Sequence, residues 1–363
     1  MTLFNNIYQN RRVFITGHTG FKGSWLAFWL RQLGAHVFGY SLDYPTQPNH
    51  FQILNLDMEH MIADIRDDDV LYGAVKDFRP EAVFHLAAQP LVRLSYDDPV
   101  TTFDTNVMGT LKVFEACRRV GCVKAILNIT SDKCYENHER LDGYREDEPM
   151  GGHDPYSCSN GCAELVTSSY RRSFFPLETY GKAHTTLLAS CRAGNVIGGG
   201  DWACDRLIPD VMRAVEQGKK IYLRYPDAVR PWQHVLEPLS GYLLLGQRLL
   251  DGETDLAGGW NFGPRQDEVS TVRDVVKKMS VMWDRISFGV DHRRHLHEAG
   301  LLQLDCRKAD AQLQWHEVWG IDRALERTVQ WYKNYYEEGK SLTADDLDSY
   351  VDDASQKGLV WAQ

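Results

Sequence analysis

The sequence predicts an α/β protein built on a doubly wound parallel sheet, with a smaller lobe contributed by its C-terminal part. Three observations carry that expectation. Short runs rich in β-branched and aromatic residues alternate with helical patterns of roughly 10–15 residues, as strands joined by crossover helices do. The runs are apolar almost throughout instead of at every second residue, as in strands covered on both faces. Three glycines, Gly17, Gly20 and Gly23, sit between the first strand pattern and the first helix pattern.

The first strand is read at Val13–Thr16, and an apolar helix runs through Trp25–Leu30. Between them, Gly17 allows a sharp turn, Gly20 lets backbone N–H groups approach a phosphate, and Gly23 allows the helix to pack close to the sheet. The intervening His18, Thr19, Phe21 and Lys22 complete a G-x-x-G-x-x-G loop at the positive end of a helix. A glycine triplet alone is a weak signal, but its place after a strand and before a helix points to a Rossmann-type dinucleotide site. His36–Asp43 is the second strand. Asp43 falls 26 residues after Gly17, near the position of a ribose-binding acid that favours NAD over NADP, with Ser41 as a competitor. Asp64 and Ile65 stand at a third strand end, where an adenine would lie. Asp67–Asp69 caps a helix over Val70–Phe78, which Pro80 stops. Glu81–Gln89 is a central strand whose end, Leu86, Ala87, Ala88 and Gln89, leaves room for a flat ligand. A helix over Thr105–Cys117 carries Asn106 near its start, and Val123–Thr130 is a further strand. Thr185–Ser190 and Trp260–Phe262 extend the sheet. The expected division is therefore a dinucleotide domain over 1–193, its sheet completed from within 232–264, and a lobe over 194–231 and 265–363. The polar stretch from Tyr335 to Gln363 is expected to be a loosely held tail.

Composition narrows the function classes. The 363 residues are 43% hydrophobic and 25% charged, with a formal charge of −10 that argues against general nucleic-acid binding. No apolar run approaches the ~20 residues of a membrane span, and the start lacks a signal-peptide pattern. A cytoplasmic location is expected. The eight cysteines form no C-x-x-C pair, and Cys158 and Cys162 have no matching His or carboxylate pattern. Reduced thiols and no metal site are expected.

Ligands of such sheets bind beyond the carboxyl ends of the strands. Ser131, Asp132 and Lys133 leave the strand at Thr130, and Asp154-Pro-Tyr156 opens a helix carrying Tyr156. Both Lys133 and Tyr156 change protonation when their surroundings shift them. In an arbitrary protein the first three would be a solvated turn. Here they join Thr16–Gly23, Asp64–Arg66, His85–Ala88 and Thr105–Thr110. With these strings the chain resembles the extended short-chain dehydrogenase/reductases that act on nucleotide sugars. Longer strings, Ala88–Ser95, Thr130–Tyr135, Tyr144–Gly152, Arg192–Trp202, Arg206–Pro209 and Arg230–Gly241, are similar to the branch that dehydrates CDP-glucose. The resemblance spans roughly residues 10 to 340.

The resemblance implies NAD as a permanently bound cofactor and CDP-glucose as substrate, oxidised at C4, dehydrated across C5–C6 and reduced at C6. Tyr156 would take the C4 proton, Ser131 would hydrogen-bond the C4 oxygen, and Asp132 would protonate the leaving hydroxyl. Lys133 stands where related dehydratases carry a glutamate as C5 base. Arg93, Arg192, Asn195, Arg206, Leu207, Tyr222, Arg224 and Arg230 would hold the nucleotide end, arginine being suited to diphosphate. A homodimer or homotetramer paired through the helices after Asn106 and Tyr156 is implied. One residue departs from the pattern. The family reads Tyr-x-x-x-Lys, whereas the fourth residue after Tyr156 is Asn160, which bonds ribose hydroxyls but carries no charge. Three explanations compete: a deliberately disabled variant, a natural form in which Lys133 or another cation compensates, and a homologue that has lost catalysis. The intact state of the other strings favours the first. A nucleotide-sugar epimerase or reductase, and a non-catalytic binder of NAD and sugar nucleotides, are the rival functions.

Overall fold

The computed structural model describes residues 2–140, 142–265, 270–291 and 301–363. Its centre is a seven-stranded sheet. β1 (Arg12–Thr16), β2 (His36–Ser41) and β3 (Glu59–Ile62) run outward on one side. β4 (Ala82–His85), β5 (Ala125–Ile129), β6 (Leu187–Arg192) and a final strand, Gly259–Asn261, run outward on the other. Every neighbouring pair is parallel. The order reverses between β1 and β4, which is where a doubly wound sheet opens a crevice for a ligand.

The unbroken apolar runs have the expected cause. In β1, Val13 and Ile15 face one core with Trp25, Trp29, Leu239 and Leu243, while Phe14 faces the other with Val83, Ile126 and Leu188. A strand sandwiched between helices has no wet side, so alternation is lost. Helix α1 (Phe21–Gln32) buries Gly23 through Leu30 against the first core. The helix Asp68–Phe78 begins at Asp67, whose side chain accepts the Val70 N–H at 3.2 Å, and ends at Arg79 in the left-handed region. The expected helix after Thr105 starts instead with a π-type turn over Asp104–Gly109 and becomes regular only over Thr110–Val120.

A second apolar cluster, centred on Trp202, Met212, Val276, Met279, Trp331 and Tyr332, lies outside the sheet sandwich. The expectation of a loose C-terminal tail is corrected. Residues Thr343–Gln356 form a helix, and Trp361 is only 1% exposed, stacked on Phe4 at 5.2 Å. The stretch is polar on average because its apolar residues, Leu347, Tyr350, Ala354, Leu359 and Trp361, are few and spaced to one face.

Candidate active site

The cradle at the switch point forms from the glycine loop. Gly17 has φ +77°, and a Cβ there would lie 2.8 Å from the Ala87 nitrogen; at Gly23 a Cβ would lie 2.0 Å from the Gly17 carbonyl oxygen. No other residue fits either place without moving backbone. The N-cap of α1, Gly20, provides no side-chain cap, so the first-turn N–H groups remain available to an anion. His18 is buried and bonds Ser41 Oγ at 2.8 Å, and burial pushes it down to about 4, so it is neutral. Ser41 also accepts the Thr19 N–H at 3.2 Å, and Thr19 Oγ1 donates to the Asp43 carbonyl at 2.6 Å. Ser41 is thus consumed inside the loop, and the exposed Asp43 carboxylate is left at the strand end for a ribose. Across the crevice, Thr16 Oγ1 accepts the N–H groups of Leu86 and Ala87, both at 3.1 Å. The residues present fit a dinucleotide.

Asn106 ties this floor to the tyrosine helix. Its side chain accepts the Gln89 N–H at 2.8 Å and donates to Gln89 O at 3.2 Å and Ser159 Oγ at 2.8 Å. Ser159 donates in turn to Tyr156 O at 2.7 Å. That helix (Pro155–Ser173) is capped by Asp154, which accepts from Ser157 N at 2.9 Å, and the Tyr156 N–H donates to Ser95 Oγ at 3.1 Å. Tyr156 is half-buried. Asn160 is buried one turn on, and its amide donates to Tyr156 O at 2.9 Å, folding back on its own helix.

At the end of β5, Asp132 is 1% exposed. One carboxylate oxygen accepts from Ser131 Oγ at 2.9 Å; the other is buried without a partner. Ser131 Oγ also accepts the Lys133 N–H at 3.2 Å, which shapes the turn. Lys133 is partly buried and its ammonium makes no hydrogen bond or ion pair among the described residues. Arg206, paired with Asp201 at 3.1 Å, exchanges charge effects with both Tyr156 and Lys22.

The residues expected at the nucleotide end have their own geometry. Arg93 and Arg224 each meet Asp205 at 3.1 Å. They border an open basin of about 630 Å³, along with Arg213, Lys219, Lys220 and Tyr222. Counting Asp205, five cations meet three carboxylates there, with Asp210 and Asp291, an excess of positive charge suited to an anion.

A family model described as GDP-mannose 4,6 dehydratase matches residues 14–328. The chain belongs to this nucleotide-sugar dehydratase family, within the extended short-chain dehydrogenase/reductases. It is 55% identical over 331 residues to a CDP-glucose 4,6-dehydratase of Salmonella typhimurium, covering 90% of this chain and 92% of that one. Two solved structures share the fold. A Thermus thermophilus UDP-glucose 4-epimerase in complex with NAD has a TM-score of 0.76 at 24% identity, covering 89% of this chain and 99% of that one. A Streptomyces venezuelae dTDP-glucose 4,6-dehydratase with NAD bound has 0.74 at 21%, covering 90% and 99%.

Within that family frame, one expected contact is corrected, and several other expected residues make contacts inside the protein. Arg192 does not face substrate: it is 4% exposed, pairs with Glu164 at 2.8 Å and donates to Tyr135 OH at 2.5 Å. Thr130 spends its hydroxyl on Glu164 Oε1 at 2.5 Å. The Asp64 carboxylate is held by Arg66 at 2.7–3.1 Å, and Ile65 packs in the core beneath Gly109. Leu207 packs against the second apolar cluster. Asn195 accepts the Gln233 N–H at 3.3 Å through its backbone. Arg230 lies in a short strand paired with Ser270–Thr271. The sequence reading missed Glu164, which takes hydrogen bonds from Thr130, Ser190 and Arg192 and so locks the tyrosine helix to β5 and β6. It also missed Ser95, Ser159, Asp201 and Asp205. Their only signal was nearness to recognised strings, since a partner's role is not legible until the partner is placed.

Proposed function

We propose that the chain is a CDP-glucose 4,6-dehydratase that uses NAD and yields CDP-4-keto-6-deoxyglucose. The observation that carries this over the epimerase reading is Asp132. Its carboxyl is buried, steered by Ser131, and has one oxygen without a partner. An epimerase needs no acid for a C6 hydroxyl, whereas a dehydratase must protonate one. Glycines 17, 20 and 23, with Asp43 at the ribose position, would hold the cofactor. NAD, when bound, supplies the acceptor for the C4 hydride and returns that hydride at C6. Tyr156 takes the C4 hydroxyl proton while Ser131 holds the oxygen. The 4-keto group acidifies the C5 hydrogen; the step requires Lys133 as the neutral amine, to remove that proton, and Asp132 as the carboxylic acid, to give its proton to the C6 hydroxyl, which leaves as water. C5 regains a proton as C6 is reduced, so the sugar loses one water in total.

Discrimination of cytosine from other bases rests on the Salmonella relative. The acceptance of a diphosphate rests on the basin around Arg93 and Arg224. Asn160 supplies no charge to Tyr156, and we assign to it a slower oxidation step. The exposed apolar residues Met108 and Leu165, at 44% and 60% exposure, lie on the helices expected to pair two copies, and they support a homodimer. No helix among the described residues is long and apolar enough to cross a membrane, and a cytoplasmic location accords with a nucleotide-sugar substrate. The test is incubation of the chain and NAD with CDP-glucose, dTDP-glucose and UDP-glucose, reading 4-keto sugar by absorbance in base. Product from CDP-glucose alone is expected. Epimerised hexose without a keto sugar would replace this reading with the epimerase one.

A further inference from the structure

Lys22 stands in the glycine loop, where the obvious task for a lysine is the pyrophosphate. Its surroundings point elsewhere. Along the sheet, the dinucleotide crevice has an adenosine side, towards β2 and β3, and a reacting side, towards β5 and β6. Asp43 and Asp64 mark the first; Ser131, Asp132 and Lys133 mark the second. The Lys22 ammonium lies within electrostatic reach of Arg206 and Asp132, and near the neutral, buried Cys191 thiol of β6. Its ammonium also faces the Tyr242 ring, 5.9 Å from the centroid. None of these lies on the adenosine side.

Two buried polar groups in this neighbourhood lack partners, beside the half-buried Lys22. The Lys22 ammonium makes no hydrogen bond or ion pair among the described residues. Asp132 Oδ2 and Tyr242 OH are buried with none, on side chains only 1% and 0% exposed. Buried polar groups are normally satisfied, and leaving one without a partner is costly. A cation and a carboxylate that influence one another without pairing leave room for a ligand to meet both. Burial and Arg206 push Lys22 down to about 8, so it remains mostly charged at neutral pH.

We infer that Lys22 serves the reacting end of the site, facing the meeting place of nicotinamide and sugar, and not the pyrophosphate. This rests on the NAD-dependent reading given above. A positive charge there disfavours the cationic nicotinamide ring relative to its neutral reduced form, and so favours removal of hydride from the sugar. It also stabilises negative charge on the C4 oxygen as the C5 proton leaves.

The test is equilibrium binding of NAD+, NADH and ADP-ribose to the full chain, its Lys22→Met variant and its Lys22→Arg variant. ADP-ribose carries the pyrophosphate but no nicotinamide. For Lys22→Met, the ratio of the NAD+ to NADH dissociation constants is expected to fall about tenfold, the scale of like charges ~8–10 Å apart at partial burial. ADP-ribose affinity should stay within about twofold, and Lys22→Arg should keep the parent ratio. Lys22→Gln gives the same comparison if methionine unsettles the loop. Equal weakening of all three ligands makes Lys22 a pyrophosphate ligand and overturns the inference, as does an unchanged ratio. A parent chain that binds neither cofactor form instead defeats the NAD reading itself.

Discussion

The substitution Asn160→Lys tests how much of the chemistry depends on one missing charge. Residues four apart on a helix face one another, with Cβ atoms ~5–6 Å apart. The Asn160 amide already lies within one turn of Tyr156, bonded to its carbonyl. A lysine ammonium there would come within ~5 Å of the phenolate. At an effective dielectric constant of ~20, that attraction is about 3 kcal/mol. Tyr156 is only half-buried, so solvent screening reduces the figure to ~2 kcal/mol, or roughly thirtyfold more tyrosinate at a given pH. Burying the new ammonium beside Ala163 and Glu164 opposes this through desolvation, at a stability cost of about 1–2 kcal/mol. The assay is single-turnover oxidation of CDP-glucose followed at the NADH absorbance between pH 6 and 9, with a thermal melt beside it. The expected result is a ten- to thirtyfold faster step at low pH, with the gain shrinking as pH rises, because alkaline solution removes the phenolic proton without help. A folded variant with NAD affinity intact and the parent's pH–rate profile would refute the reasoning. The missing charge would then be supplied already, with Arg206 as the first place to look, since its charge reaches Tyr156.

Other consequences follow from the same geometry. Arg192→Met should lower stability by about 3–5 kcal/mol, because it strands the Glu164 carboxylate in the core; a chemical denaturation curve measures it, and a loss below 1 kcal/mol would mean that the pair is not the lock described. Gly23→Ala should abolish NAD binding or folding, since the added methyl meets the Gly17 carbonyl at 2.0 Å; an unimpaired variant would show that the loop is placed wrongly. Asp43→Ser should narrow the preference for NAD over NADP by about tenfold or more through loss of charge repulsion, read from the two dissociation constants. Glu237 is fully buried, and burial, then Glu317, push it up to about 8 against hydrogen bonds from Val318, Trp319 and Tyr350. Its folded value lies above its unfolded one, so its contribution is present at acidic pH and lost as pH rises through 8. The melting temperature should therefore fall between pH 5 and 8, and Glu237→Gln should flatten that fall; parallel curves would remove Glu237 as the cause.

What was legible in the sequence, and what was not, divides along physical lines. The sheet was legible because its strands are buried on both faces, so β1, β4, β5 and β6 each stand out as apolar runs, and Gly17 and Gly23 mark contacts that only glycine permits. β3 was legible only at its end, beside Asp64 and Ile65, because all four of its residues are exposed and it lies at the sheet edge. Ser131, Asp132 and Tyr156 could be named as candidates because proton transfer needs those side-chain types at strand and helix ends. Arg192 was misread for the opposite reason. An arginine inside a recognised string invites a phosphate, but the string says nothing of burial, and position 192 is the last residue of a central strand, where only an internal partner can satisfy a guanidinium. That partner, Glu164, is on the same helix as Tyr156 and Asn160. The arginine therefore still bears on catalysis by a different route. It pins the helix that carries the tyrosine to β5 and β6, so that Tyr156 and Asp132 are held by one buried network.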